Sequence, residues 1–191
     1  MLTMIACSSA PNRSATGCIE GKGNCESGDG VYVWADGGRY AGEFQNGLRS
    51  GRGAMIYATG TTCEGQWAAG KLDGVAVCTF PGGDVYDGEW AAGVITGQGT
   101  YHYKDGGKYV GHFLNHERAG NGRMQYPDGF VYQGEWSANL CHGQGKLTAP
   151  DGRVWAGRFE RGHFIAPEDW DGPAVPERLP ETNTERLEIG H

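Results

Sequence analysis

The sequence contains few of the aliphatic side chains that form most protein cores. Leu, Ile, Val and Phe together number 30 of 191 residues, about 16%, a proportion that usually accompanies disorder. Aromatic side chains make up for this shortage, because 21 of them recur at regular intervals, and glycine reaches 35 residues. The usual share of glycine is only about 7%. This combination predicts an ordered β protein with a core of rings, and it argues against a helical bundle or a doubly wound α/β enzyme.

Three other features are missing, and each absence excludes a class of protein. The glycines follow no G-X-Y period, which excludes collagen. No run of 18 apolar residues exists that would predict a membrane-spanning helix. Basic residues do not cluster, and the net charge is −7, so we expect no nucleic-acid partner. Residues 163–191 carry most of this charge, with seven acids and two arginines.

Glycines mark an internal repeat of 23 residues that runs without insertion or deletion. Such strict spacing means that every repeat is the same supersecondary unit in the same register. The three glycine columns are Gly28, Gly51, Gly74, Gly97, Gly120 and Gly143; Gly37, Gly60, Gly83, Gly106, Gly129 and Gly152; and Gly42, Gly65, Gly88, Gly111, Gly134 and Gly157.

Each repeat has the pattern of a β-hairpin, because apolar residues alternate with polar ones on both sides of a glycine-containing loop. The register pairs residue 42 with 53, 40 with 55, and 44 with 51. Glycines between large rings leave room for the rings to lie across the strands of a single sheet. The ring columns are Tyr40, Phe44, Trp67, Tyr86, Trp90, Tyr109, Phe113, Tyr132, Trp136, Trp155 and Phe159.

The predicted fold is therefore all-β: an elongated single antiparallel sheet of about six stacked hairpins. Its roughly twelve strands would extend about 55–60 Å at ~4.8 Å per strand. The opposite face carries a column that should be solvated: Glu43, Gln66, Glu89, His112, Glu135 and Arg158.

Segments such as YAGEFQNGLRSGRG, CEGQWAAGKLDGVA and YDGEWAAGVITGQG resemble MORN (membrane occupation and recognition nexus) repeats over about residues 18–162. The resemblance implies an elongated, twisted antiparallel sheet used for scaffolding, dimerisation or membrane-proximal attachment, and it implies no catalysis. Cys63 replaces the first Tyr of the pattern, Ala76 replaces a Gly, and His116 and Asn139 replace turn glycines.

Cysteines indicate two crosslinks. Cys63 and Cys78 should face each other in the hairpin register, either as a disulfide or as two packed thiols. Cys18 and Cys25 bracket a short loop, where a disulfide would protect the first edge strand; zinc is disfavoured because no second ligand pair has suitable spacing. The MORN resemblance supports this second pair, because some bacterial arrays begin with a cysteine cap. Cys141 is expected in a hairpin loop without a partner.

No motif predicts catalysis, a cofactor or a metal. Glu43, Glu89 and Glu135 form one column rather than a pair with divergent environments, and neither a nucleophile elbow nor a phosphate loop is present. His112, His116 and His142 lie near hairpin loops without clearly convergent partners, so we interpret them as surface residues.

The two ends of the chain differ from the repeats. Residues 1–17 should be a flexible segment in which Cys7 follows Ala6 and precedes a polar stretch, as at the end of a bacterial lipoprotein signal. Either the true start lies upstream and Cys7 is lipidated, or Cys7 is an ordinary thiol. Residues 163–191 form an acidic, proline-rich tail, in which Phe164, Ile165 and Trp170 are expected to fold over the last strand.

These observations predict a non-enzymatic repeat scaffold that binds a protein partner. We expect an exported bacterial protein in the periplasm or anchored to the outer membrane, or a cytoplasmic one if no upstream signal exists. Contact with a membrane would come only through a lipid anchor or weak headgroup contact, and the ends of the sheet allow an end-to-end homodimer. The alternative function is peripheral binding of phospholipid headgroups, which the acidic charge disfavours.

Overall fold

The computed structural model describes residues 17–19 and 22–175 and contains one antiparallel sheet, in which each strand pairs with its neighbours along the chain. The described residues contain no helix, and so none that could cross a membrane. The strands are β1 Gly17–Cys18, β2 Ser27–Val33, β3 Arg39–Gln45, β4 Leu48–Ile56, β5 Thr62–Ala68, β6 Lys71–Thr79, β7 Val85–Ala91, β8 Val94–His102, β9 Lys108–Leu114, β10 Glu117–Gln125, β11 Val131–Ser137, β12 Leu140–Thr148, β13 Val154–Glu160 and β14 His163–Ile165.

The predicted fold class is confirmed, with two more strands than expected. Twelve strands, β2 to β13, form the stacked hairpins, and the short strands β1 and β14 add one strand at each end. At about 4.8 Å per strand, fourteen strands extend roughly 62 Å. The sequence pattern produces this arrangement because all hairpins share the same register, so each hairpin can pair edge to edge with the next.

The predicted register is confirmed at the end of each hairpin that is far from its turn, and it is wrong at the end next to the turn. Gly42 pairs with Gly53 and Tyr40 with Met55 as predicted, but Phe44 pairs with Arg49 rather than with residue 51. A β-bulge in the returning strand causes the shift, and equivalent bulges occur in the following hairpins. Gly51 lies in the bulge with φ 54°, a conformation that favours glycine. The bulge therefore explains the glycine column that begins the returning half of each repeat.

The column expected to be solvated is exposed except for the half-buried His112, and three of its members also hold the bulge. One of them is Gln66, whose side-chain oxygen accepts a hydrogen bond from the backbone N–H of Val75 at 3.4 Å. The carboxylate of Glu43 accepts a hydrogen bond from the backbone N–H of Arg52 at 2.7 Å, and that of Glu135 accepts one from Gln144 at 2.8 Å. A bulge leaves backbone groups without a partner in the neighbouring strand. These carboxylates supply the missing acceptor, so solvation alone does not describe the column.

The core lies on one face of the sheet, which we call the ring face; the other is the outer face. Tyr40 is fully buried, and its ring contacts Phe44 of its own repeat and Trp67 of the next, with centroids 5.1 and 5.3 Å apart. Both contacts are edge-to-face, the geometry that aromatic pairs prefer. The same contacts recur from Trp90 to Phe159. The rings therefore form a row that is interrupted only at the second repeat, and the described residues place no second layer over it.

The second repeat departs from this pattern in a coordinated way. Cys63 and Cys78 are joined by a disulfide, with Cα atoms 4.1 Å apart, and they occupy the places of Tyr40 and Met55. In the first repeat a Cβ added at Gly53 would collide with the phenol of Tyr40. The second repeat has no such phenol, and Ala76 is accommodated there at 2% exposure.

Local structure covers part of each end of the sheet. At the first edge, Cys18 and Cys25 form a disulfide with Cα atoms 5.8 Å apart. At the last edge, Phe164 is buried, and its ring packs against Phe159 and Trp170 at 5.3 and 5.0 Å. Ile165 is 43% exposed and lies on the outer face. Cys7 and residues 176–191 of the predicted tail lie outside the described residues.

The link between Cys63 and Ala76 gives a test by double variation. Replacing Cys63→Tyr and Cys78→Met installs the residues of the first repeat and forces the new ring against the Ala76 methyl group, which should cost about 1–3 kcal/mol of overpacking. Adding Ala76→Gly removes the collision. We expect Ala76→Gly to raise the free energy of unfolding by at least about 1 kcal/mol more in this variant than in the unmodified chain, measured by urea denaturation. Equal effects in both chains would contradict the steric explanation.

Candidate functional site

The ring face carries one row of rings that is only half-buried. The row follows the returning strands, at the first residue of each loop that leads to the next hairpin. The N–H of Tyr57 donates to the carbonyl of Thr61 at 2.8 Å, and that of Phe80 donates to the carbonyl of Asp84 at 2.9 Å. The same backbone turn therefore places each ring at the same position in its repeat. We call this row the exposed ring column; its members are Trp34, Tyr57, Phe80 and Tyr103.

The column ends within the fourth and fifth repeats. The next residue of the series, Tyr126, is 4% exposed, and the one after it is the small residue Ala149. Within this column, half-exposed rings are thus available over the first part of the sheet and not over the last, which gives the column a direction along the sheet.

A second column on the ring face was missed by the sequence analysis. Each member lies nine residues after the first position of its repeat, the position of Tyr40 in the first repeat. The members are of different residue types: Arg49, Leu72, Ile95, Arg118, Cys141 and Phe164. The bulge turns these residues toward the rings, as the pairing of Phe44 with Arg49 shows. The only available signal was the 23-residue repeat itself, which places Arg49 and Arg118 three repeats apart.

Arg118 is a buried cation in this second column. It is 3% exposed, and its guanidinium lies over the ring of Trp136 at 4.6 Å and near that of Tyr109 at 5.8 Å. It also donates a hydrogen bond to the carbonyl of Asn139 at 2.8 Å. These contacts to ring faces and backbone make it part of the packing.

Arg49 has the same arrangement but is only half-buried. Its guanidinium lies 4.6 Å from the Trp67 ring and 5.6 Å from the Trp34 ring. It donates to the carbonyl of Gly70 and, at 3.7 Å, to the sulfur of Met55, which uses two of its five N–H groups. Burial lowers the pKa of the guanidinium. Within the described part of the chain, the ion pairs are made by other arginines.

Partial burial removes some of the water around a cation, and this costs free energy. Where no carboxylate lies beside the cation, only the aromatic rings offset that cost. Arg49 therefore has both spare donors and an electrostatic preference for an added anion. It lies between Trp34 and Trp67, next to the start of the exposed ring column. Together, the exposed ring column and Arg49 form the candidate site.

Cys141 is not in a loop, contrary to the expectation from the sequence. It is the second residue of β12, is 2% exposed, and is the free cysteine of the described residues. Burial raises the pKa of its thiol to about 12, and the sulfur lies 3.9 Å from the hydroxyl of Tyr126. A protonated, buried thiol is a packing group rather than a nucleophile.

The titratable residues do not converge on a reaction centre. Glu43, Glu89 and Glu135 lie two repeats apart, which corresponds to about 19 Å of strand spacing. The described residues contain no group of three or more His, Cys, Asp or Glu side chains that could hold a metal ion. Burial is the largest cause of the raised pKa of Tyr40, which reaches about 12.

At its far end the ring face contacts a segment that follows β14 and bends at residues 172 and 173. The indole N–H of Trp155 lies 3.2 Å from the carbonyl oxygens of both Pro173 and Ala174. Within the segment itself, the indole N–H of Trp170 donates to Pro173 at 2.9 Å. One indole of the ring face therefore binds the backbone carbonyls of a proline-containing segment.

Comparison with known families agrees with this repeat structure. The MORN repeat profile matches six consecutive segments: residues 26–39, 40–62, 63–85, 86–108, 109–131 and 132–152. These segments cover more than half of the chain, and the chain belongs to the MORN repeat family. No curated protein matches the sequence.

Two solved structures show weaker similarity. The TCP10 domain of Danio rerio CPAP is 17% identical with a TM-score of 0.42; the match covers 69% of this chain and 62% of that one. The SAS-4 TCP domain of Drosophila melanogaster, solved in complex with a proline-rich motif of Ana2, is 17% identical with a TM-score of 0.43, covering 83% and 99%. The present chain thus spans 62% of the length of the Danio rerio domain. Neither similarity is close enough to support an argument about function.

Arg118 offers a test of whether a cation is needed for packing. Leu72 and Ile95 occupy the same column and are buried, so Arg118→Leu should leave the free energy of unfolding within about 1 kcal/mol of the original or raise it. Arg118→Ala should instead cost about 2–5 kcal/mol, because it leaves a cavity beside Trp136. Chemical denaturation of both variants distinguishes these results. A large loss in the Leu variant would show that the guanidinium itself holds the fold.

Proposed function

We propose that the chain is a non-enzymatic scaffold that binds an extended segment of a partner protein on its ring face. The observation that carries this proposal is the candidate site, with four half-buried rings in a row beside the half-buried cation of Arg49. Trp, Tyr and Arg are the residues most often responsible for the affinity of protein interfaces.

The rigidity of the site supports this proposal. The ring of Tyr103 is held by Tyr101, with centroids 4.5 Å apart, and Phe80 stacks on Tyr101 at 6.2 Å. Side chains that are already ordered lose little rotational freedom when a partner binds. The site therefore suits a ligand that gains affinity from apolar contact.

An enzymatic function has little support from the electrostatics of the site. The largest pKa shifts fall on tyrosines and Cys141, and burial is their main cause. The hydroxyls of Tyr40 and Tyr86 donate to backbone carbonyls at 3.1 Å. Tyr101 does have a charged partner, because its hydroxyl donates to the carboxylate of Asp84 at 2.8 Å. A catalytic site usually brings several such groups together.

The headgroup alternative lacks a basic surface. The whole chain carries a charge of −7, and Arg49 is a single cation beside apolar rings. Anionic membranes attract clusters of basic residues. A protein ligand, which can place one carboxylate against one guanidinium, fits this site better.

We also propose that the chain acts outside the cytoplasm, where disulfides persist. Two disulfides support this compartment, although they do so weakly. The short pairing of β14 favours the end-to-end homodimer predicted from the sequence: β14 pairs only with residues 158–160 of β13, and no described strand pairs with residues 154–157 on that side.

The compartment can be tested through the cysteines. Protein exported to the periplasm of an expression host should yield joined peptides for Cys63–Cys78 and Cys18–Cys25 under non-reducing mapping. In the loop-entropy model, closing the longer loop should stabilise the fold by about 3 kcal/mol. Cys141 should react with iodoacetamide at pH 8 only after unfolding, because burial keeps its thiol protonated. Recovery of Cys63 and Cys78 as alkylated thiols would contradict the disulfide.

The binding function can be tested without knowing the partner. A random-peptide phage library selected on the unmodified protein should yield peptides that bind at least tenfold more weakly to Tyr57→Ala and to Phe80→Ala, because both variants remove rings from the exposed column. The matched control is Val77→Ala, which changes a residue that is 42% exposed on the outer face. Thermal melts must show that the variants remain folded. Selected peptides that bind all variants equally would place the interaction elsewhere.

A further inference from the structure

We propose that the segment bound on the ring face is proline-rich and acidic, and that it binds as a polyproline II helix with a carboxylate on Arg49. This inference rests on the proposed function and specifies its ligand class. Three independent features support it: the spacing of the exposed ring column, the way the ring face already binds Pro173 and Ala174, and the unneutralised charge of Arg49.

The spacing of the rings matches the pitch of a polyproline II helix. Successive members of the exposed ring column are one repeat apart, which means two strands, or about 9.6 Å along the sheet. A polyproline II helix advances about 3.1 Å per residue with three residues per turn, or about 9.3 Å per turn. Every third ligand residue therefore meets a ring. An α-helix rises about 5.4 Å per turn and does not keep this register.

The twist of the sheet limits how many rings one straight ligand can contact. Neighbouring strands rotate by about 20–25°, so rings two repeats apart already differ in direction by close to 90°. A straight helix therefore contacts two or three rings. The expected minimal ligand is about nine residues, or three turns.

The chain itself shows that an indole of this face binds backbone carbonyls. The indole N–H of Trp155 lies 3.2 Å from the carbonyl oxygens of Pro173 and Ala174. A polyproline II backbone has no internal hydrogen bonds, so its carbonyls remain available to such donors. Trp34 places a further indole at the opposite end of the face, in the exposed ring column. A preformed extended ligand also loses little entropy on binding.

Charge complementarity selects an acidic ligand over a neutral or basic one. Arg49 lies between the rings of Trp34 and Trp67, and the described ion pairs do not involve it. A carboxylate can accept bonds from its spare N–H groups and offset the cost of its partial burial. Tyr57 is a neighbour of Arg49: burial raises the pKa of its phenol, and the Arg49 cation opposes that shift. The acidic end of the ligand therefore belongs at the Trp34–Tyr57 end of the column.

Three labelled twelve-residue peptides test this assignment on the full chain by fluorescence anisotropy. The peptide (Pro-Pro-Glu)4 should bind at least tenfold more tightly than (Gly-Ser-Glu)4, which has equal length and charge but no preformed helix. It should also bind at least tenfold more tightly than (Pro-Pro-Lys)4, which has the same helix and opposite charge. Equal affinity for the first two peptides would overturn the polyproline II assignment, and equal affinity for (Pro-Pro-Glu)4 and (Pro-Pro-Lys)4 would overturn the role of Arg49.

Variants locate the binding. Arg49→Leu should weaken (Pro-Pro-Glu)4 at least tenfold and leave (Pro-Pro-Lys)4 unchanged or tighter; it should fold, because Leu72 and Ile95 occupy the equivalent places. Phe80→Ala should weaken (Pro-Pro-Glu)4 at least tenfold as well, whereas Val77→Ala should not change its binding. Insensitivity to both Arg49→Leu and Phe80→Ala would overturn the proposal.

Other occupants of the face give different outcomes. If (Pro-Pro-Glu)4 binds only to a variant that stops at Val175, the site belongs to residues 176–191 of this chain and the partner assignment is overturned. If vesicles of phosphatidylserine and phosphatidylcholine displace the peptide, the site is a headgroup site and the assignment is again wrong. The phage-selected peptides give a further outcome. If they lose affinity for Phe80→Ala but contain no proline, the scaffold function stands and only the proposed ligand class is wrong.

Discussion

The structure depends on one contact, a tyrosine ring that lies across a pair of glycines in neighbouring strands. The ring of Tyr40 covers Gly42 and Gly53, and its hydroxyl donates to the carbonyls of Glu43 and Ser50 at 3.1 and 3.3 Å. A single-layer sheet has no opposing layer to bury its apolar face. Rings laid flat over glycines supply that layer from within the sheet, which is why few aliphatic residues are needed.

The β-bulge in each hairpin connects this packing to the binding site. The bulge shifts the pairing by two residues, so Arg49 rather than Gly51 lies opposite Phe44 on the ring face. The same shift exposes the backbone N–H of Arg52, and the carboxylate of Glu43 accepts a hydrogen bond from it on the outer face. The candidate site therefore uses positions that the repeat leaves free to vary, whereas the ring and glycine columns are fixed by their mutual fit.

The second repeat shows how strictly that fit is coupled. With Cys63 in place of a tyrosine, the neighbouring position tolerates the methyl group of Ala76. The next repeat also differs: the indole N–H of Trp67 donates to the carbonyl of Gly53 at 3.0 Å, whereas that of Trp90 is buried without a hydrogen-bond partner among the described residues. We expect the disulfide to offset part of the lost ring contact, because it constrains the unfolded chain.

The sequence by itself determined the all-β class, the 23-residue unit, the pairing of Tyr40 with Met55 and the ring columns, because strict periodicity and alternation are local properties of the chain. The same register also predicted that Cys63 and Cys78 lie opposite each other on neighbouring strands. Only the tertiary structure decided the pairing of Phe44 with Arg49, the burial of Cys141 and the difference between Arg49 and Arg118. These depend on a bulge and on what neighbouring repeats cover, and two arginines with the same local sequence position differ in exposure because their neighbours along the sheet differ.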